Sequence, residues 1–256
     1  MTPSSSNTLK HKRCLVTGGT RGIGRAIAHM LLCEGAQVAI CGRTQETVQQ
    51  AVLELQDETG TKVHGKAADL RHYKQVEELF QFVDVCFAGS GEPESRRGST
   101  LDVLINNAGV GVFAPIGELA VEAWQETLET NLYGTFYASK LAVSRFHGSG
   151  HIVNISSLAG AHAFAGGAAY NASKFGLIGL TEAMMQDLRS QGVRVGYVMP
   201  GSVATEFGGS TAESGSHWKI WPEDVAAVVR MMLEMPERTL VSRVEVRPAR
   251  PKSEVK

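Results

Sequence analysis

Tyr170 and Lys174 stand four residues apart in Tyr170-Asn171-Ala172-Ser173-Lys174, where a stretch of helical spacing begins. Residues four apart share a helix face, so the spacing predicts a phenol and an ammonium side by side. A nearby ammonium favours tyrosinate and lowers a pKa normally near ~10, which makes the phenol a usable acid or base near neutrality. Such a pair alone is common by chance. Thirteen positions upstream of Tyr170, a predicted strand over Ile152–Ser156 releases Ser157 at its end; taken alone, that serine reads more readily as a strand-end cap.

The second group able to do chemistry is Thr17-Gly18-Gly19-Thr20-Arg21-Gly22-Ile23-Gly24, between a predicted strand and a predicted helix. Glycines there let backbone N–H groups approach a pyrophosphate, which then sits at the positive end of the helix dipole. The spacing is Gly-x-x-x-Gly-x-Gly rather than the Gly-x-Gly-x-x-Gly of the better-known dinucleotide fingerprint. Discrimination between NAD and NADP is expected at the end of the second strand, where NAD-binding proteins place a carboxylate on the ribose 2′-OH. This chain reads Ile40-Cys41-Gly42-Arg43-Thr44 there, with no acid. Arg43, with Arg21 as a second guanidinium, suits a 2′-phosphate because the planar fork donates two parallel hydrogen bonds. NADP(H) is therefore expected over NAD.

Those residues need a scaffold that aims strand ends at one cleft. Short runs that are apolar on consecutive positions, Cys14–Val16, Val38–Cys41, Val103–Ile105, Ile152–Ile155 and Val193–Val198, read as strands covered on both faces. Helical patterns separate them, over Gly22–Glu34, Gln45–Glu58, Tyr73–Phe82, Val121–Arg145, Ala169–Ser190 and Glu223–Glu234. Strand-helix alternation predicts an α/β, doubly wound parallel sheet of Rossmann type in a single domain. The domain is expected over 13–247, between a disordered tail over 1–12 and a C-terminal tail over 248–256. Ala88–Thr100 is expected to be an exposed loop, and residues 206–221 a substrate loop able to act as a lid.

Composition excludes several classes. A chain of 256 residues with 43% hydrophobic and 20% charged residues and a net charge of -1 is an ordinary globular protein, without the basic excess of nucleic-acid binders. Cys14, Cys33, Cys41 and Cys86 form no metal-ligand spacing, so no metal is expected. No run approaches the ~18 apolar residues of a membrane span, and the polar start lacks a signal-peptide pattern; a cytoplasmic protein is expected.

Taken in order, Thr17 to Gly24, Asp69, Asn106-Asn107-Ala108-Gly109, Asn131, Ser157, Tyr170, Lys174 and Pro200-Gly201 leading to Thr205 resemble the short-chain dehydrogenase/reductase family, in its branch of ~250-residue chains. The likeness runs from about Arg13 to Val246. It implies that Tyr170 exchanges the proton with the substrate oxygen, and that Lys174 lowers the Tyr pKa and holds the nicotinamide ribose. Ser157 would hydrogen-bond the substrate oxygen, and Asn131 would anchor a water relaying protons from Lys174. Asp69, with Leu70 after it, would meet the adenine. Asn107, Ala108 and Gly109 would shape the pocket, and Pro200, Gly201, Val203 and Thr205 would meet the nicotinamide side. Gly18, Thr20, Arg21, Gly22, Ile23, Gly24, Arg43 and Thr44 complete the implied cofactor set.

The implied reaction is hydride transfer between NADP(H) and a small or medium carbonyl/alcohol substrate. A 3-oxoacyl-carrier-protein reductase is the alternative within the enzyme class, and a catalytically silent cofactor-sensing protein the one outside it. Phe113, Leu158, His162, Phe164, Phe207, Trp218 and Trp221 are expected to line a fairly apolar substrate pocket, with no arginine cluster for an acidic substrate. The C-terminus departs from the glycine-rich close of many members. It ends in a strand over Leu240–Val246 and a basic, Pro-containing tail. A homodimer or homotetramer is expected, because the helices over Val121–Arg145 and Ala169–Ser190 carry more apolar surface than one sheet face covers.

Overall fold

A computed structural model of the protein describes residues 8–88, 100–209 and 218–250. Seven strands form one parallel sheet in the order β3-β2-β1-β4-β5-β6-β7. They are β1 (Arg13–Val16), β2 (Gln37–Gly42), β3 (Val63–Ala67), β4 (Val103–Asn106), β5 (Gly150–Ile155), β6 (Val193–Pro200) and β7 (Arg243–Val246). The helices are α1 (Gly22–Cys33), α2 (Gln45–Thr59), α3 (Tyr73–Phe87), α4 (Val121–Leu128), α5 (Gly134–Val143), α6 (Ala168–Leu188) and α7 (Pro222–Glu234). Strand β1 pairs with β2 on one side and β4 on the other, so the winding reverses there and opens a crevice at the strands' carboxyl ends.

The consecutive apolar positions explain the two covered faces. Cys14, Val16, Val38, Ile40, Ile105, Val153 and Val198 turn towards a core completed by Ile27, Leu31, Leu55 and Val229 from α1, α2 and α7. The intervening Leu15, Ala39, Leu104, Ile152 and Val195 face Leu79, Phe80, Val83, Ala138, Ala142 and Leu188 from α3, α5 and α6. Alternate residues of a strand point to opposite faces, so apolar residues on consecutive positions let one strand serve both layers.

Helix ends follow local chemistry. Thr44 caps α2 through its hydroxyl and the N–H of Thr47, while Pro222 opens α7 and Asp224 accepts from the N–H of Trp221 at 2.6 Å. Helix α1 is different: Arg21 gives it no side-chain cap, and its first turn holds no acid. Its leading N–H groups are therefore left to the crevice.

Two expectations need correction, and one element was missed. The tail predicted over 1–12 is ordered from its inner end, because Leu9 is buried in the first core and Lys12 N–H donates to Leu9 O. The helix predicted over Val121–Arg145 is interrupted by a π-helical turn at Glu129–Tyr133 between α4 and α5. Strand β3 was not predicted, since as the outermost strand it buries only Val63. Residues 1–7, 89–99 of the expected loop, 210–217 of the expected lid and 251–256 of the tail lie outside the described residues.

Candidate active site

The crevice is a cavity of about 1480 Å³ that runs across the carboxyl ends of the strands. Its floor begins where β1 gives way to the glycine turn. Gly18 and Gly22 adopt φ of 62° and 53°, a left-handed conformation that glycine enters without steric cost. A Cβ on Gly18 would also come within 2.8 Å of Ala108 Cα. Thr17 fixes this turn against β4: its buried hydroxyl accepts from Asn107 N–H at 3.0 Å and Ala108 N–H at 3.1 Å. The Asn107 amide answers by donating to Thr17 O and Gly18 O. A floor without side chains, facing uncapped helix N–H groups, is the surface a pyrophosphate requires.

Deeper in the cleft lie Tyr170 and Lys174 on α6 and Ser157 at the end of β5. Lys174 is 4% exposed. Its ammonium donates to Ile155 O at 2.9 Å and sits 5.7 Å from the centre of the Tyr170 ring, as the four-residue spacing requires. Burial lowers the Lys174 pKa to about 8. Burial also raises the Tyr170 pKa, against which the Ser157 hydroxyl pulls downward. The sequence reading had Lys174 lowering the tyrosine; here the ammonium is held at a carbonyl beside the ring, and desolvation of the phenol dominates. Ser157 also accepts from Ala159 N–H at 3.1 Å, so the hydroxyl facing Tyr170 is a cap as well.

Asn131 occupies the π-helical turn and clamps two walls together. Its side-chain oxygen accepts from Val110 N–H at 2.8 Å, and its amide donates to Val110 O at 2.9 Å and to Ser173 Oγ at 3.0 Å. Ser173 lies between Tyr170 and Lys174, so this one amide sets α6 against the segment after β4. Both amide hydrogens are engaged in this clamp, so a water of the expected relay to Lys174 would be held through an Asn131 oxygen. A second buried chain, Asn106 to Asn154 at 2.8 Å and Asn154 to Thr181 at 2.7 Å, ties β4, β5 and α6 beneath the site.

The remaining predicted residues fall into two groups. Thr20, Arg21, Ile23, Arg43, Asp69, Leu70, Gly109, Pro200, Gly201, Val203 and Thr205 line the cavity. Gly24 and Thr44 do not. Gly24 is packed against Gly18 O and the Asn107 amide, where a Cβ would not fit; Thr44 is the exposed cap of α2. Arg43 pairs with Glu126 at 3.1 Å and Arg21 with Glu206 at 3.4 Å, both on the surface, where such pairs contribute little and are readily exchanged. Of the expected substrate lining, Trp221 alone stands outside, exposed at the start of α7.

A family model for short chain dehydrogenase matches residues 12–215. The chain belongs to the short-chain dehydrogenase family. An uncharacterized oxidoreductase of Staphylococcus saprophyticus is 31% identical over 94% of this chain and 98% of its own length. A putative ketoacyl reductase of Streptomyces coelicolor is 36% identical over 82% of this chain and 78% of its own. The solved alcohol dehydrogenase of Thermococcus sibiricus, complexed with 5-hydroxy-NADP, superposes with a TM-score of 0.82 at 28% identity, covering 94% of this chain and 99% of that one. Other solved structures similar to this chain are complexes with NADP or NADPH.

This short-chain dehydrogenase is thus an oxidoreductase by family, with a single Rossmann-like domain. Two features of its site escaped the sequence reading. Arg71 grips Asp69 with contacts of 2.6–3.0 Å and holds that carboxyl below its usual range; a neighbour two positions on carried no signal of this. Arg247 and Arg250 also line the cleft. Pro248, where the expected tail begins, packs beside Gly201, and the two arginines stand against the expected absence of an arginine cluster for an acidic substrate. No helix among the described residues is long and apolar enough to cross a membrane.

Proposed function

We propose that this protein is an NADP(H)-dependent oxidoreductase interconverting a small or medium carbonyl compound and its alcohol. The observation that carries the reading is the convergence of Tyr170, Lys174 and Ser157 in the same cleft as the side-chain-free floor at Gly18 and Gly22. NADPH, when bound, supplies the hydride. The uncapped turn of α1 would hold its pyrophosphate, and Arg43 and Arg21 its 2′-phosphate, exchanging surface carboxylates for a dianion. The NADP-bound solved relatives support this cofactor choice.

Tyr170 Oη would pass its proton to the substrate oxygen as charge develops there, and Ser157 Oγ would donate a hydrogen bond to the same atom. A tyrosine kept protonated by burial suits the reductive direction, since it must enter the step as an acid. Lys174, once its ammonium turns from Ile155 O towards the ribose and the phenolate, would stabilise the tyrosinate left behind. Asn131 holds α6 and the Val110 wall in register. The exposed Val121, Tyr133, Phe136 and Phe175 on α4, the π-turn, α5 and α6 would be the surface on which copies associate. Leu177 and Leu188 of α6 are buried in the core and take no part in that surface.

Resemblance to the Streptomyces coelicolor putative ketoacyl reductase favours a second reading, reduction of a 3-oxoacyl thioester. NADPH oxidation followed at 340 nm over ketones, aldehydes and a 3-oxoacyl thioester tests both. Turnover of simple carbonyls supports the first reading, and turnover of the thioester alone the second. NADPH binding without turnover of any of them would leave a cofactor-sensing protein.

A further inference from the structure

We propose that the substrate is a ketone with an aromatic body and a terminal carboxylate, its ring held among Phe113, Phe164 and Phe207 and its carboxylate by Arg247. The proposal rests on the carbonyl-reducing reading above and adds the class of substrate.

Three large apolar side chains around Tyr170 are left half-exposed rather than packed into the core: Phe113 at 45%, Phe164 at 47% and Phe207 at 37%. Phe113 and Phe207 each place a ring 5.6 Å from that of Tyr170, and Phe164 stands 5.8 Å from Phe113. The pairs are edge-on or tilted, the arrangement aromatic rings prefer. They form a concave apolar wall beside the proton donor, and a flat ring fills such a wall with little loss of conformational freedom.

The same cleft is also lined by Arg247 and Arg250. Past β7 the chain turns so that a side chain added at Gly201 would meet both Pro248 and Leu158. Arg247 thereby reaches His162, Nη2 to Nε2 at 3.4 Å, while the His162 carbonyl accepts from Asn171, the residue after Tyr170. Glu245 is shared between Arg243 at 2.8 Å and Arg247 at 2.9 Å, so one carboxylate faces two guanidiniums before Arg250 is counted. Glu245 takes the Nε–Nη2 edge of Arg247; at 52% exposure the outer Nη1–Nη2 edge, where His162 now stands, is the one that would receive a carboxylate in its place. These cations are remote from those expected to hold the cofactor. Arg43 follows β2 and Arg247 follows β7, five strands across the sheet, or roughly 24 Å at the usual strand spacing.

The test compares 4-oxo-4-phenylbutanoate with its methyl ester as substrates with NADPH, and measures binding of the acid to the enzyme–NADP⁺ complex by calorimetry. The acid is expected to exceed the ester in kcat/KM by roughly tenfold, as a charge-assisted bidentate contact gives, with the difference in KM. Arg247→Gln should bring the ratio close to one and Arg247→Lys restore part of it. Arg189→Gln, which removes the same charge from a distant exposed turn, should leave the ratio standing. Equal use of acid and ester, or a ratio untouched in Arg247→Gln, would overturn the proposal while leaving carbonyl reduction intact. If neither compound is reduced, acid binding that depends on Arg247 would uphold the anion site against the carbonyl-reducing reading. Absence of that binding would overturn the proposal.

Discussion

Replacing Asn131 by alanine separates two roles for this residue, a clamp and a proton relay. The substitution removes three hydrogen bonds. It leaves Val110 N–H without its acceptor and the buried Ser173 hydroxyl without its donor. Each lost bond costs about 0.5–1.5 kcal/mol, and a donor left unsatisfied about 1–3 kcal/mol. Val110 is only half-buried, so the lower part of that range applies, and the loss comes to roughly 3 kcal/mol. In a chain of this size that lowers the melting midpoint by about 6–12 °C at fixed protein concentration. The clamp role further predicts that NADPH binding weakens, because the Gly109–Val110 wall of the cleft is set by the same amide. The assay is thermal unfolding with and without NADPH, alongside steady-state turnover. A midpoint within about 2 °C of wild type, with cofactor affinity kept and kcat collapsed, would refute the clamp and favour the relay.

Other consequences follow from the buried ammonium and the surface arginines. Lys174 titrates near 10.5 when unfolded but at about 8 in the fold, so the unfolded chain binds more protons between those values and stability rises with pH across that window. The burial cost, about 3 kcal/mol, is fully present below pH 8. Lys174→Met should therefore raise the melting midpoint at pH 7 while abolishing turnover, with the gain fading towards pH 10.5; no gain at pH 7 would contradict the burial argument. Arg43→Ala should weaken NADPH about tenfold in a fluorescence titration and leave NADH unchanged, whereas Glu126→Gln, which frees Arg43 of its 3.1 Å partner, should tighten NADPH. Equal effects on both cofactors would remove Arg43 from the 2′-phosphate.

Much of this architecture was legible because strands covered on both faces carry apolar residues on consecutive positions. Val38–Cys41 and Ile152–Ile155 could be read directly, whereas β3, with Val63 alone buried, carries no such signal. The π-turn at Glu129–Tyr133 was hidden for the opposite reason: the side-chain pattern through it continues as an ordinary helix, and only the backbone changes pitch. At the site, the chemistry of Tyr170 and Lys174 followed from a four-residue spacing, which the helix converts directly into contact. What spacing could not give was partnership across the fold. Glu126 stands 83 residues from Arg43, and Arg247 is 85 from His162; local pattern holds no trace of either. The direction of the Tyr170 shift also escaped, because it depends on how deeply the phenol is enclosed rather than on which residues flank it.

The central claim, that Tyr170 is the proton donor of an NADPH-dependent carbonyl reduction, is tested most directly by Tyr170→Phe. The variant keeps the ring against Phe113 and Phe207 and removes one oxygen. General acid catalysis contributes about 10²–10⁴-fold, so NADPH should bind as in wild type while kcat for the best carbonyl substrate falls by at least about a hundredfold. Turnover within a few-fold of wild type, with NADPH still consumed, would contradict the account.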